Sequence, residues 1–137
     1  MVSLTLATRL RDAGLRWTPA RGDAFVLPGK EMDDDVFVLS DMTIEVHEYG
    51  AGKIIGFNGT TEWALDSIEQ QEAVWLPREE QLRDKLGGTF RRLERRDDRY
   101  QVAINVLGSE VIAEHEDPSE AYGLALLHLI TGDPVSV

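Results

Sequence analysis

The stretch Tyr100-Gln101-Val102-Ala103-Ile104-Asn105-Val106-Leu107-Gly108-Ser109-Glu110-Val111-Ile112-Ala113 decides the fold. Tyr100, Val102, Ile104 and Val106 recur at every second position, which predicts a half-buried strand. Val111-Ile112-Ala113 returns across Gly108-Ser109, so the two runs read as an antiparallel hairpin. A helix opens directly afterwards. Asp117 can cap it, Pro118 takes the first helical position, where its missing N–H costs nothing, and Glu120 is expected to complete a capping box. Gly132 marks its end. In between, Ala121, Leu124, Ala125, Leu126, Leu127, Leu129 and Ile130 are apolar nearly all round, the pattern of a helix buried on more than one side. The favoured placement is central, against the sheet and another helix. The alternative is an outer face that joins a partner.

Upstream, Leu82, Leu86, Phe90 and Leu93 recur at four, four and three residues and predict one amphipathic helix begun by Pro77, kinked or broken at Gly87-Gly88. Asp97-Asp98 predicts a turn, and Ala73 to Leu76 a short strand. Residues 60–69 fit a short helix capped by Thr60 or Thr61 and carrying Ala64, Leu65 and Ile68, or a strand on Trp63 and Leu65; the helix is preferred. Lys53 to Phe57 reads as a strand returning across Gly50-Ala51-Gly52 from Ile44, Val46 and Tyr49. Thr43, Glu45 and His47 alternate with those apolar positions on a face expected to meet water. Val36 to Leu39 reads as a buried strand, Glu31 to Asp35 as an exposed acidic loop, and residues 24–27 as an apolar strand. Trp17 and Phe25 flank a polar turn from Pro19 to Asp23. A first helix over 4–13 has Ser3 as its cap, Leu6, Ala7, Leu10 and Ala13 on one face, and Gly14-Leu15 as its left-handed closure.

Short helices interleaved with hairpins imply an α+β fold. The expectation is a single domain over residues 1–137 with a mostly antiparallel sheet, about three to four helices and the C-terminal helix packed centrally.

Hydrophobic residues make up 42% of the 137-residue chain and charged residues 28%, a composition that builds a core and argues against disorder. There are no cysteines, which excludes disulfides, thiolate zinc sites and cysteine nucleophiles. The first residues lack a basic region and a long apolar run, and no stretch has about 18 consecutive apolar residues. A soluble, cytoplasmic protein is the expectation. The formal net charge of −11 opposes nucleic-acid backbones and anionic lipid and favours basic partners.

No motif for catalysis or cofactor binding emerges. Gly50-Ala51-Gly52-Lys53 lacks the earlier glycine of a phosphate loop, where His47 stands, and Ile54 replaces the required serine or threonine. A calcium loop begun at Asp33 would need glycine at Val38 and glutamate at Ile44. Arg78-Glu79-Glu80 lacks the further glutamates of a pyrophosphohydrolase helix. His47, His115 and His128 have no metal-ligand spacing on a common helix, and His128 is expected to bond backbone at the edge of the core. Trp17, Trp63 and Trp75 fit core positions. No catalytic, metal or cofactor residue is therefore assigned, and no cofactor is expected. Arg91, Arg92, Arg95, Arg96 and Arg99 form the basic cluster, interleaved with Glu94, Asp97 and Asp98.

The segments Ser40-Asp41-Met42-Thr43, Phe57-Asn58-Gly59-Thr60-Thr61-Glu62-Trp63-Ala64-Leu65-Asp66-Ser67 and Trp75-Leu76-Pro77-Arg78-Glu79-Glu80-Gln81-Leu82 resemble small proteins of actinobacteria and neighbouring lineages labelled as pilus assembly proteins of the CpaE type. The resemblance covers most of the chain. Pilus proteins of that type are similar to the MinD/ParA ATPases, which need a glycine-rich phosphate loop and a longer doubly wound domain. Neither is present here, so the resemblance carries over no site residues.

The functional expectation is a non-enzymatic protein-binding or adaptor domain, in one version an inhibitor or immunity protein for a basic partner. Its candidate partner-binding residues are Arg91, Arg92, Arg95 and Arg96, or Thr43, Glu45 and His47. The alternatives are a small hydrolase whose site is assembled only in three dimensions, and a structural homodimer formed through the last helix.

Overall fold

The structure is a computed structural model that describes residues 1–28, 36–39, 44–49, 52–57, 67–69 and 73–135, with side chains described over 1–28, 36–39 and 73–135. It is α+β, with three α-helices and three antiparallel three-stranded sheets among the described residues. Contacts divide the chain into two units, Met1–Arg16 with Pro77–Val137, and Trp17–Leu76.

The first unit opens with α1, Leu4–Asp12, whose Ser3 cap accepts a hydrogen bond from the Leu6 amide. Its end is a Schellman closure: the Leu15 amide bonds the Leu10 carbonyl and the Gly14 amide the Arg11 carbonyl, with Gly14 at φ +111°. Leu6, Ala7 and Leu10 are buried.

Helix α2 spans Glu79–Leu86. Pro77 lies one residue before its cap rather than in its first turn, because Gln81 reaches back to the Arg78 amide (2.9 Å) and sets the start at Arg78. The helix breaks at Gly87, as expected, but Phe90 and Leu93 do not resume it. Gly87 takes φ +57°, a short 3-10 turn covers Gly87–Thr89, and a strand begins at Phe90. The spacing is kept only in part: Leu82 and Leu86 are buried and Phe90 packs on the ring of Tyr122 at 5.8 Å, whereas Leu93 is exposed.

Strands β7 (Phe90–Arg96), β8 (Arg99–Val106) and β9 (Ser109–His115) form a meander with β8 central. Asp97-Asp98 joins the first pair. Leu107-Gly108 joins the second, one residue earlier than the sequence suggests, and both residues have positive φ as a primed hairpin turn requires. Val102 stands opposite Leu93 and Ala113 in this sheet, and Ile104 opposite Phe90 and Val111.

Helix α3, Pro118–Thr131, packs on β8 and β9 and is flanked by α1 and α2, as its all-round apolarity predicts. Asp117 caps it by accepting from the Ser119 amide (2.8 Å), and Gly132 closes it at φ +77°. Glu120 does not supply a capping box. Its carboxylate instead accepts from the amide and hydroxyl of Ser3, the cap of α1. At Gly123 an added methyl would lie 2.6 Å from Leu6 Cδ2, so the absent side chain is what lets α1 seat on α3.

In the second unit, β1 (Ala24–Val26) lies between β2 (Phe37–Val38) and β6 (Val74–Leu76). Trp17, Phe25, Leu27, Leu39 and Ala73 form its core, with Phe37 and Trp75 packed against it. The turn before β1 is exposed over Ala20 to Gly22, and only its last residue is buried. Asp23 is buried and accepts from the Trp17 indole N–H (2.9 Å) and the Ala20 amide (3.0 Å). The buried strand expected at Val36 to Leu39 shortens to two residues at a sheet edge, where Val36 and Val38 are exposed and Leu39 alone turns fully inward. Strands β3 (Ile44–Tyr49), β4 (Gly52–Phe57) and β5 (Ser67–Glu69) make a second sheet in that order. The helix preferred over 60–69 is corrected at its end, since Ser67–Glu69 pairs with Ile54–Gly56 as strand. Residues 60–66, Trp63 and the acidic run Glu31 to Asp35 lie outside the described residues.

Candidate functional site

The basic cluster lies on β7 and the start of β8, with its charges already engaged. Arg92, Glu94 and Arg96 alternate along β7, and the register sets them opposite Ala103, Gln101 and Arg99. Arg92 reaches Glu110 at 2.7 Å and Glu94 at 3.4 Å, Arg96 reaches Glu94 at 3.1 Å, and Arg99 bonds Glu114 at 2.9 Å. The hydrogen bond that Arg92 donates to Glu110 raises the pKa of Arg92, and that from Arg96 lowers the pKa of Glu94. Arg91 donates to the Gly88 and Phe90 carbonyls, and the Arg95 guanidinium lies 5.9 Å from the Tyr100 ring centre. An alternating ladder of this kind neutralises itself across the sheet and leaves little field to attract an acidic partner.

The second set of candidate residues belongs to the other unit. Glu45 and His47 lie on β3, where the register places them opposite Gly56 and Ile54 of β4. Thr43 lies outside the described residues. The two candidate sets therefore sit in separate sheets.

Charge divides unevenly between the units. Trp17–Leu76 carries twelve acidic and three basic residues, a net charge of −9. The remaining residues carry thirteen acidic and eleven basic, a net charge of −2. The sequence holds this information, but it becomes legible only once the contacts define the boundary.

A groove of about 320 Å³ runs between the C-terminal halves of α1 and α3, lined among others by Arg9, Asp12, Leu127, His128, Thr131 and Asp133. It gathers a histidine and two acids, none of which sequence spacing brought together. Their bonds are structural. His128 Nδ1 donates to the Asp133 backbone carbonyl rather than to a carboxylate, as expected of a core-edge histidine. The Thr131 hydroxyl donates to the Leu127 carbonyl at 2.8 Å, and Asp12 holds Arg11 at 3.2 Å. No hydroxyl–imidazole–carboxylate relay is formed. His115 serves the start of α3, its Nδ1 accepting from the Asp117 amide at 3.0 Å. Among the described residues, no group of three or more histidines and acids is arranged to hold a metal ion, and no helix is long and apolar enough to cross a membrane.

The apolar surface of α3 is used within the chain. Ala121 to Leu127 are buried, and of the expected outer face only Ile130 is an exposed large hydrophobic residue. Comparisons with protein-family models, with curated proteins and with solved structures find no match for this chain.

Proposed function

We propose that the chain is a non-enzymatic binding module of the adaptor or inhibitor kind, and that its acidic unit Trp17–Leu76 receives a basic protein. The observation that carries this reading is the segregation of charge, with −9 of the net −11 in that unit. Such a field steers a basic partner during encounter and suppresses acidic competitors. The ladder on β7 adds support by exclusion, because its arginines are spent on neighbouring glutamates and stacking contacts. Among the original candidates the reading therefore favours Glu45 and His47 over Arg91, Arg92, Arg95 and Arg96.

The test is affinity capture of the tagged chain from its own cytoplasm, washed at low and then high salt. A stoichiometric basic protein released by salt is the expected result. Glu45→Lys with Glu48→Lys should weaken its capture, whereas Arg92→Ala with Arg96→Ala should not. Recovery of the chain alone would sink the reading.

A further inference from the structure

The two edges of the β7–β8–β9 sheet are built differently. Strand β7 carries the devices that stop an edge from pairing with another chain. It has a register shift between Phe90 and Arg92 and four arginines in seven residues. Strand β9 has neither a register shift nor arginines, and its charges are Glu110 and Glu114. Its pairing with β8 runs without a shift from Ser109 to His115, and it contains no proline, lysine or arginine. Among the described residues, no strand pairs with its other side. Val111, Ile112 and Ala113 form its centre, with Ile112 39% exposed on the face away from α3 and Leu107 fully exposed at the adjoining turn.

We propose that the free edge of β9 is a docking strip for an extended basic segment of a partner protein, which adds to the sheet as a fourth, antiparallel strand. The inference rests on the basic-partner reading above and gives it a second, geometrically specific contact. Strand addition supplies main-chain hydrogen bonds, and alternate side chains supply selectivity. Glu110, Ile112 and Glu114 share the outer face, so an antiparallel strand places three of its own side chains opposite them.

The occupant follows from charge. A second copy pairing through β9 about Ile112 would set Glu110 against Glu114 twice, and like charges directly opposite are destabilising. Moving the centre to Val111 or Ala113 would set a glutamate against Ile112. The edge therefore rejects itself while remaining open to a strand with lysine or arginine opposite both glutamates. Each of these carboxylates is held through Oε1 by an arginine from across the sheet, Arg92 for Glu110 and Arg99 for Glu114. A basic residue on the new strand extends that alternation by one step.

The probe is the peptide Thr-Lys-Thr-Val-Thr-Lys-Thr added to the full chain, read by amide hydrogen exchange. Slowed exchange across residues 109–115 is expected. Affinity should be about tenfold weaker for the peptide with glutamate in place of both lysines, or for the Glu110→Gln, Glu114→Gln variant. Unchanged exchange in α3 verifies that this variant is folded. Equal protection by both peptides overturns the basic character of the occupant, and no protection overturns strand addition. Protection confined to Trp17–Leu76 overturns it too, while leaving the basic-partner reading standing, which the capture experiment decides separately. Sedimentation of the chain alone should show no association through β9, and dimerisation abolished by Ile112→Lys would overturn the charge argument.

Discussion

Glu120 in the first turn of α3 holds Ser3, the cap of α1, through both of its carboxylate oxygens. Oε1 accepts from the Ser3 amide and Oε2 from its hydroxyl, while the same hydroxyl oxygen accepts from the Leu6 amide. One residue on the last helix thus finishes the start of the first. Ser3→Ala and Glu120→Ala should each destabilise the chain by about 1–2 kcal/mol, as lost caps and lost bonds to a charged group do. The double variant should lose clearly less than the sum, because the two share one network. Denaturant midpoints of the four proteins check this.

Asp23 anchors the turn that leads into β1. Removing its carboxylate strands the Trp17 indole N–H and the Ala20 amide beside a buried site. Asp23→Ala should cost about 1–3 kcal/mol, chiefly from the buried indole donor left unmet. The change should show as altered Trp17 fluorescence and faster amide exchange in Trp17–Leu76. Asp23→Asn should be milder, since an amide oxygen can still accept.

Gly123 is required by close approach, not by backbone conformation. A methyl there meets Leu6 at 2.6 Å and Val2 at 3.4 Å, both buried. Gly123→Ala should therefore destabilise by about 1–3 kcal/mol despite alanine's better helix propensity. A combined Leu6→Ala should relieve part of the clash, and thermal unfolding of the two variants tests that compensation.

The β7 ladder should leave a signature in pH and salt. Hydrogen bonding to Arg96 lowers the Glu94 pKa from its ordinary 4.5. A carboxylate with a depressed folded pKa contributes stability that is present above the ordinary value and lost as pH falls through the folded one. Stability should thus decline on acidification below 4.5, and Glu94→Gln should flatten that part of the profile. High salt should shrink the difference, since the pairs are exposed. Chemical unfolding across pH at two ionic strengths measures both effects.

Much of this molecule is legible in its sequence because local chemistry decides it. The Ser3 cap, the Gly14-Leu15 closure, the Asp117-Pro118 start and the Gly132 end each depend on residues within a few positions of one another, and each forms as read. The alternation from Tyr100 to Val106 likewise makes a strand, because a two-residue period suits only a pleated backbone with one face covered. The misreadings arose where a local signal had two solutions. Leu82, Leu86, Phe90 and Leu93 match a helix by spacing, yet they serve a helix and then a strand, because Gly87 at positive φ ends the helix and the pairing of β7 with β8 pulls the rest into the sheet. Glu120 had a local role available and took a distant one, since Ser3 brought two donors at once. The pairing of Arg92 with Glu110 and Arg99 with Glu114, the gathering of His128 with Asp12, and the open edge of β9 depend on which strands and helices become neighbours. Composition and local period determined the acidity, the central helix and the elements bounded by local signals. Only the tertiary structure decided which charges are spent and which edge stays open, because those outcomes depend on contacts between residues far apart in the chain.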